Sequence, residues 1–186
     1  MATTADIRNG LVMDLDGQLM QVSYFQHVKP GKGGAFVRTK LRNVRTGAVL
    51  DRTFTSGERI TEVRLEHRPI QFSYADGHFY HFMDMQTYDD IMLKDDVIGS
   101  DQLKYLKEGM ECSGLVYQDT VILVDLPNFV ELAVVRTDPS VRGDTATGGT
   151  KPATLETGAV VQVPLFLEEG DVIRVDRRDD KYLTRV

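Results

Sequence analysis

The sequence predicts an all-β protein built from three small barrels. Three observations carry this. Short runs of β-forming residues recur along the chain and are separated by Gly, Asp, Asn and Pro turns. A single short stretch has helical character, and no tandem repeat of fixed period is present. Roughly a dozen short strands with one short helix fit small closed sheets better than one large sheet.

Taken in order, Leu11–Leu15 and Gln18–Tyr24 flank Asp16-Gly17, a hairpin turn pair. The segment 35–41 is rich in β-formers. Thr46-Gly47 turns the chain into Ala48-Val49-Leu50, and Ser56-Gly57-Glu58 turns it again. Residues 62–65 read as a connection into a new unit. Ile70–Tyr74 and His78–Met83 surround Ala75-Asp76-Gly77 as a second clear hairpin. Ser100 or Asp101 is placed to cap a helix through 103–107, ended by Gly109. Strands are expected again at 111–117, 121–125 and 129–135. The polar segment 137–150 reads as an exposed loop, and strands return at 159–163, 171–175 and Tyr182-Leu183. The expected domains are 1–64, 65–127 and 128–186. Units of this length can fold alone, since many domains of about 55–65 residues do.

Composition narrows the function classes. A hydrophobic content of 41% with 27% charged residues is that of an ordinary globular protein. No apolar run approaches the ~20 residues that span a bilayer, and the first ten residues lack a secretory pattern. A single cysteine, Cys112, excludes an internal disulfide framework and fits a reducing cytosol. The net charge of −6 is uneven. Residues 1–64 carry ten Lys/Arg against six Asp/Glu, residues 65–127 four against twelve, and residues 128–186 eight against ten. A basic first third on an acidic body suggests one end that meets phosphate; scatter of charge over solvated surfaces is the plainer reading. Arg38, Lys40 and Arg42 alternate along one expected strand and so share a face. They form a phosphate track or an ordinary solvent face.

The most unusual local feature is Lys29-Pro30-Gly31-Lys32-Gly33-Gly34. Pro30 fixes its own φ, and the glycines permit backbone angles that other residues avoid. Such a loop makes a hairpin tip from which Lys32 projects without bulky neighbours. A bare solvated turn is the competing reading. A nucleotide-binding loop is excluded by the absence of Gly-x-x-x-x-Gly-Lys-Ser/Thr spacing and of a following helix. No metal site is expected: His78 and His81 are three apart on an expected strand and face opposite ways, and the acidic pairs Asp89-Asp90 and Asp95-Asp96 lack calcium-loop spacing. No catalytic partner can be assigned to His27, so no enzyme and no cofactor are expected. Arg142-Gly143-Asp144 matches an integrin-type tripeptide by chance.

Four ordered segments resemble the bacterial elongation factor P family. Lys29–Gly33 resembles its tip motif. Tyr105–Met110 and Leu126–Val130 are similar to its central segments. Lys151–Gly158, with Val161–Phe166 and Glu169–Asp171, resembles its C-terminal signature. The likeness runs over nearly the whole chain. It departs at 176–182, where Asp179-Asp180 replaces the Thr-x-x-Gly turn of the family.

The resemblance implies an SH3-like, KOW-type barrel followed by two OB barrels in an L shaped like a transfer RNA. It implies a monomeric, cytoplasmic, non-enzymatic factor that binds the 70S ribosome between the peptidyl and exit sites. There it would relieve stalling on consecutive prolines by positioning the peptidyl-site tRNA. By the same resemblance Lys32 is the lysine that a modifying enzyme extends, for example with a β-lysyl group. Lys29, Pro30, Gly31, Gly33 and Gly34 shape its loop. Arg38, Lys40, Arg42, Tyr182 and Arg185 are candidate RNA contacts, and Gly143-Asp144-Thr145 faces the small subunit near the exit-site codon. A paralogous factor with altered targets and a general OB-type RNA-binding module are the two rivals; the acidic second unit disfavours the module.

Overall fold

The computed structural model describes residues 1–139 and 149–186. The chain divides into two compact units, Met1–Glu66 with Val116–Ile122, and His67–Leu115 with Leu123–Val186.

The N-terminal segment forms β1 (Ala2–Thr3), β2 (Val12–Leu15), β3 (Gln18–Val28), β4 (Phe36–Asn43), β5 (Val49–Thr55) and β6 (Arg59–Glu62). They make one six-stranded sheet in the order β1-β6-β2-β3-β4-β5. Asp16 and Gly17 both take positive φ, 53° and 83°, so the expected two-residue turn joins β2 to β3. The sheet closes over Ile7, Leu11, Met13, Met20, Val22, Val37, Leu41, Phe54 and Ile60. Burying each such side chain contributes about 1.5–3 kcal/mol, so this core holds the long β3–β4 ribbon in place.

The second sheet runs β11-β10-β7-β8-β9, from β7 (Glu66–Ala75), β8 (Tyr80–Asp84), β9 (Asp90–Leu93), β10 (Glu111–Tyr117) and β11 (Thr120–Asp125). Between β9 and β10 lie two single-turn helices, α1 (Asp95–Ile98) and α2 (Ser100–Leu103). The helix expected to start at Ser100 or Asp101 and run through 107 therefore forms only its first turn, ending at Leu103. Tertiary packing overrides the local pattern: Tyr105 is fully buried and Leu106 nearly so. The Gln102 amide stitches α2 to β11, donating to the carbonyls of Ile98 and Val124, both at 2.8 Å, while its oxygen accepts from Leu126 N–H.

The last strands are β12 (Phe129–Thr137), β13 (Thr150–Leu155), β14 (Val160–Pro164), β15 (Val172–Asp176) and β16 (Lys181–Arg185). They close into a barrel in the order β12-β13-β14-β16-β15, filled by residues such as Leu132, Leu155, Val163, Leu167, Ile173 and Val175. Alternation of buried and exposed residues along β12 to β15 is the period-two pattern that the sequence displays.

Within the second unit this barrel is bonded to the preceding sheet by side chains. Arg177, its side chain 9% exposed, donates to the carbonyls of Leu126 and Pro127 and pairs with Asp125 at 3.1 Å. Lys107 pairs with Glu156 at 3.0 Å. The Asp179-Asp180 turn is bonded into the same unit. Asp180 takes φ 57°, a left-handed conformation that Asp tolerates, and its carboxylate accepts from Lys104 Nζ at 2.8 Å.

Candidate functional site

β3 and β4 form a long ribbon paired from Met20↔Asn43 to Val28↔Phe36, and residues 29–35 close it. Residues 29–34 are all exposed, Lys32 among them. At the base of the loop, Ser56 N–H donates to the Ala35 carbonyl at 3.0 Å, and the rings of Phe25 and His27 meet edge to face at 5.7 Å. The tip therefore projects from a braced stem. Of the three glycines around Lys32, only Gly33 takes a positive φ, 113°; a Cβ there would meet Pro30 Cγ at an ordinary 3.9 Å. Gly31 and Gly34 have no unusual φ and open space around them, so they leave the tip slim without being required by its backbone. Among the described residues, no carboxylate lies within 4.0 Å of Lys29 or Lys32.

The stem has a phase change that the sequence conceals. Pairing shifts between Val22 and Tyr24, leaving Ser23 as a bulge whose hydroxyl donates to the Lys40 carbonyl at 3.0 Å. Before the bulge Met20 and Val22 point inward; after it Phe25, opposite Thr39, packs on the core, while His27, opposite Val37, shares that face but is exposed. Tyr24 and Gln26 are thereby turned onto the outer face with Arg38 and Lys40. Cross-strand register then gives two rows, Tyr24–Lys40–Asp51 and Gln26–Arg38–Thr53. These six residues, with Thr39 and Arg52, line an open groove of about 370 Å³. The Arg38 guanidinium lies 5.4 Å from the Phe36 ring centroid, a cation–π contact that steadies it toward the tip. Arg42 sits in the next row, between Gln21 and Val49, with its guanidinium against Gly47.

The other candidates fall elsewhere. Tyr182 and Arg185 are on β16 of the closed barrel. Tyr182 is half-buried opposite Val175, and the Arg185 guanidinium lies 5.8 Å from the exposed Phe166 ring and 4.0 Å from the Asp171 carboxylate. Gly143, Asp144 and Thr145 lie outside the described residues. Tyr24, Gln26, Asp51 and Thr53 were not singled out from sequence, because strict alternation places Tyr24 with Val22 and Met20 on the inner face. The one signal was a small polar residue, Ser23, inside a β-rich run.

Two titrating features lie apart from this ribbon. His81 is 6% exposed on β8, whereas His78 sits in the preceding turn. Its Nε2 meets Asp76 at 2.8 Å, its Nδ1 meets Asp90 at 3.4 Å, and its ring stacks on Tyr74 at 4.3 Å. The Asp76 hydrogen bond raises the imidazole above its ordinary value, against desolvation; His81 and the backbone N–H groups of Phe79 and His78 hold Asp76 far below the usual carboxylate range. Burial pushes the Cys112 thiol up to about 12, which leaves it protonated and unreactive near neutrality. Among the described residues no group of three His, Cys, Asp or Glu side chains is arranged to hold a metal.

The comparisons with known proteins are consistent along the chain. The family model described as the elongation factor P KOW-like domain matches residues 3–60, that of the elongation factor P OB domain residues 65–124, and that of the elongation factor P C-terminal region residues 130–185. Elongation factor P of Pelotomaculum thermopropionicum is 55% identical over 186 residues, and that of Moorella thermoacetica 52% identical over 185, each alignment covering 100% of both chains. Among solved structures, translation initiation factor 5A from Methanococcus jannaschii aligns with a TM-score of 0.52 at 21% identity, over 68% of this chain and 90% of that one. An initiation factor 5A family protein from Naegleria fowleri aligns with a TM-score of 0.55 at 10% identity, over 67% and 96%. At these identities the two structures share the fold alone.

Proposed function

The chain belongs to the elongation factor P family, a family of translation factors rather than classical enzymes, and from that premise we propose that it binds the 70S ribosome between the peptidyl and exit sites and presents Lys32 to the peptidyl-site tRNA. The observation that carries this reading is the exposed, carboxylate-free Lys32 at the tip of a braced ribbon. A slim tip enters a cavity that a barrel cannot, and an unpaired ammonium retains its full attraction for phosphate. On this reading the domains are 1–64, 65–127 and 128–186, with the first supplying the tip and the basic face.

The chemical problem at a run of prolines is positional. The pyrrolidine ring restricts the nascent chain and makes it a poor partner in peptide transfer. A cationic arm beside the acceptor end of the tRNA holds that end in line with the incoming amine. Intramolecular reactions show that such ordering is worth up to about 7–11 kcal/mol. The factor supplies binding energy and geometry and moves no proton. An enzyme that extends Lys32, for example with a β-lysyl group, lengthens the arm and adds donors. Arg38, Lys40 and Arg42 contact RNA beside it; Gly143-Asp144-Thr145, Tyr182 and Arg185 do so from the C-terminal domain. Among the described residues no helix is long and apolar enough to cross a membrane, and the proposed site of action is the cytoplasm.

The experiment is reconstituted translation of a Pro-Pro-Pro message with and without the native protein. Faster synthesis of that peptide, with no change for a proline-free control, supports the reading. Equal rates with and without the protein contradict it.

A further inference from the structure

We propose that the groove on the outer face of β3, β4 and β5 is a pocket for a single unpaired nucleotide of a structured RNA, with its base stacked on Tyr24. The inference rests on the reading of the N-terminal domain as RNA-facing, but it assigns residues and a ligand that this reading does not need.

The groove differs from a plain phosphate track in what lines it. Tyr24 is 50% exposed, which leaves a face of its ring open above the groove. Gln26 and Thr53 flank Arg38 across the strands, and Asp51 flanks Lys40. A track that only follows a backbone would gain nothing from a carboxylate, which repels phosphate. A nucleotide uses all four chemistries: an aromatic face for the base, an amide and a hydroxyl for the base edge, a carboxylate for ribose hydroxyls, and cations for the phosphate.

A second observation points the same way. Lys40 and Asp51 are direct cross-strand neighbours, where opposite charges normally close an ion pair. Among the described residues they form none within 4.0 Å, and neither do Arg38 or Arg52. Cations of the second unit such as Lys104, Lys107, Arg174, Arg177 and Arg178 are each paired. The Lys40 ammonium and the Asp51 carboxylate are therefore open to a ligand, while Arg38 and Arg52 rest on the Phe36 and Phe54 rings. The groove volume of about 370 Å³ accommodates one nucleotide. The Ser23 bulge gives the pocket a structural cause, since without that extra residue Tyr24 would face the core.

The test measures binding of the full chain to three probes at low salt: an RNA hairpin with a single-stranded 3′ overhang, the same hairpin with a blunt end, and adenosine monophosphate. The overhang is expected to bind at least fivefold tighter than the blunt hairpin. Tyr24→Ala is expected to lose about tenfold for the overhang hairpin with an unchanged salt slope, and Tyr24→Phe to keep wild-type affinity. Arg38→Ala is expected to weaken both hairpins and to lower the salt slope by about one. Equal binding of the two hairpins, no binding of either, or a neutral Tyr24→Ala would overturn the pocket. Adenosine monophosphate binding as tightly as the overhang hairpin would make it a small-ligand site and overturn the RNA assignment. The Lys32 reading is tested separately, because Lys32→Ala lies outside the groove and should leave the overhang preference intact.

Discussion

The hydroxyl of Tyr105, on a side chain with no exposed surface, donates to the Asp180 carboxylate at 2.5 Å. The bond joins the segment after α2 to the turn between β15 and β16. Burial first, then Asp180, drives the phenol well above its ordinary value, while Lys104 and then Tyr105 lower the carboxylate. Tyr105→Phe should therefore destabilise the protein by about 1.5–3 kcal/mol, the range for a hydrogen bond to a charged group. Asp180→Asn, which tolerates the left-handed backbone and still accepts a bond, should cost less than Asp180→Ala. Urea denaturation of the three variants checks the ranking.

Arg177 makes a second link within the same unit. Its fork satisfies two backbone carbonyls and one carboxylate from a side chain that is 9% exposed. Arg177→Ala should cost about 2–3 kcal/mol, and Arg177→Lys should recover less than half, because an ammonium cannot span the three acceptors. A loss of stability below about 1 kcal/mol for Arg177→Ala would contradict this.

Acid and base act in opposite directions on the His81 cluster. A neutral imidazole donates from one nitrogen only, yet both nitrogens of His81 face carboxylates, so the folded protein favours the imidazolium. Its pKa is raised on folding; the stability it contributes is complete below the ordinary value of 6.5 and is lost as pH rises through the higher folded value. Asp76 is depressed; its contribution is complete above the ordinary 3.8 and is lost as pH falls through the lower folded value. The groups facing His81 are Asp76, Asp90 and Tyr74. His81→Gln should abolish the part of the stability loss above pH 6.5 that wild type shows. NMR titration of His81 should give a midpoint above 6.5, and a midpoint below it would be contrary.

The loop glycines should separate in function. Gly33, at φ 113°, strains any side chain, whereas Gly31 and Gly34 meet nothing within 4 Å. Gly33→Ala should impair Pro-Pro-Pro synthesis severalfold, and Gly34→Ala should act nearly as wild type. Equal defects would mean that bulk at the tip, and not its backbone shape, is the constraint.

Much of this was legible in the sequence wherever the cause is local. Asp16-Gly17 specified its hairpin because only a few residues accept positive φ. The glycine-lined Lys32 loop was visible from its composition, and the row of Arg38, Lys40 and Arg42 on β4 from the period of two along a strand. What was not legible depends on partners far along the chain. The helix expected through 107 stops after one turn at Leu103, and the Tyr105 beyond it is bonded to Asp180, 75 residues on. Tyr24 and Gln26 joined the basic face through a bulge at Ser23, and a one-residue shift of phase leaves no mark in the hydrophobic pattern. The pairing of Asp76 and Asp90 on His81 depends on how β8 and β9 align, which composition does not set.

The most direct test of the central claim is Pro-Pro-Pro peptide synthesis in a reconstituted system, comparing the native protein with Lys32→Ala and Lys32→Arg, each checked for fold by its urea midpoint. The exposed tip should leave the midpoints unchanged, while both variants lose the rate enhancement and the intact mass of the native protein exceeds the 20.9 kDa of the bare chain. A Lys32→Ala protein that relieves stalling as well as the native one would show that the tip lysine does not act, and the account would fail.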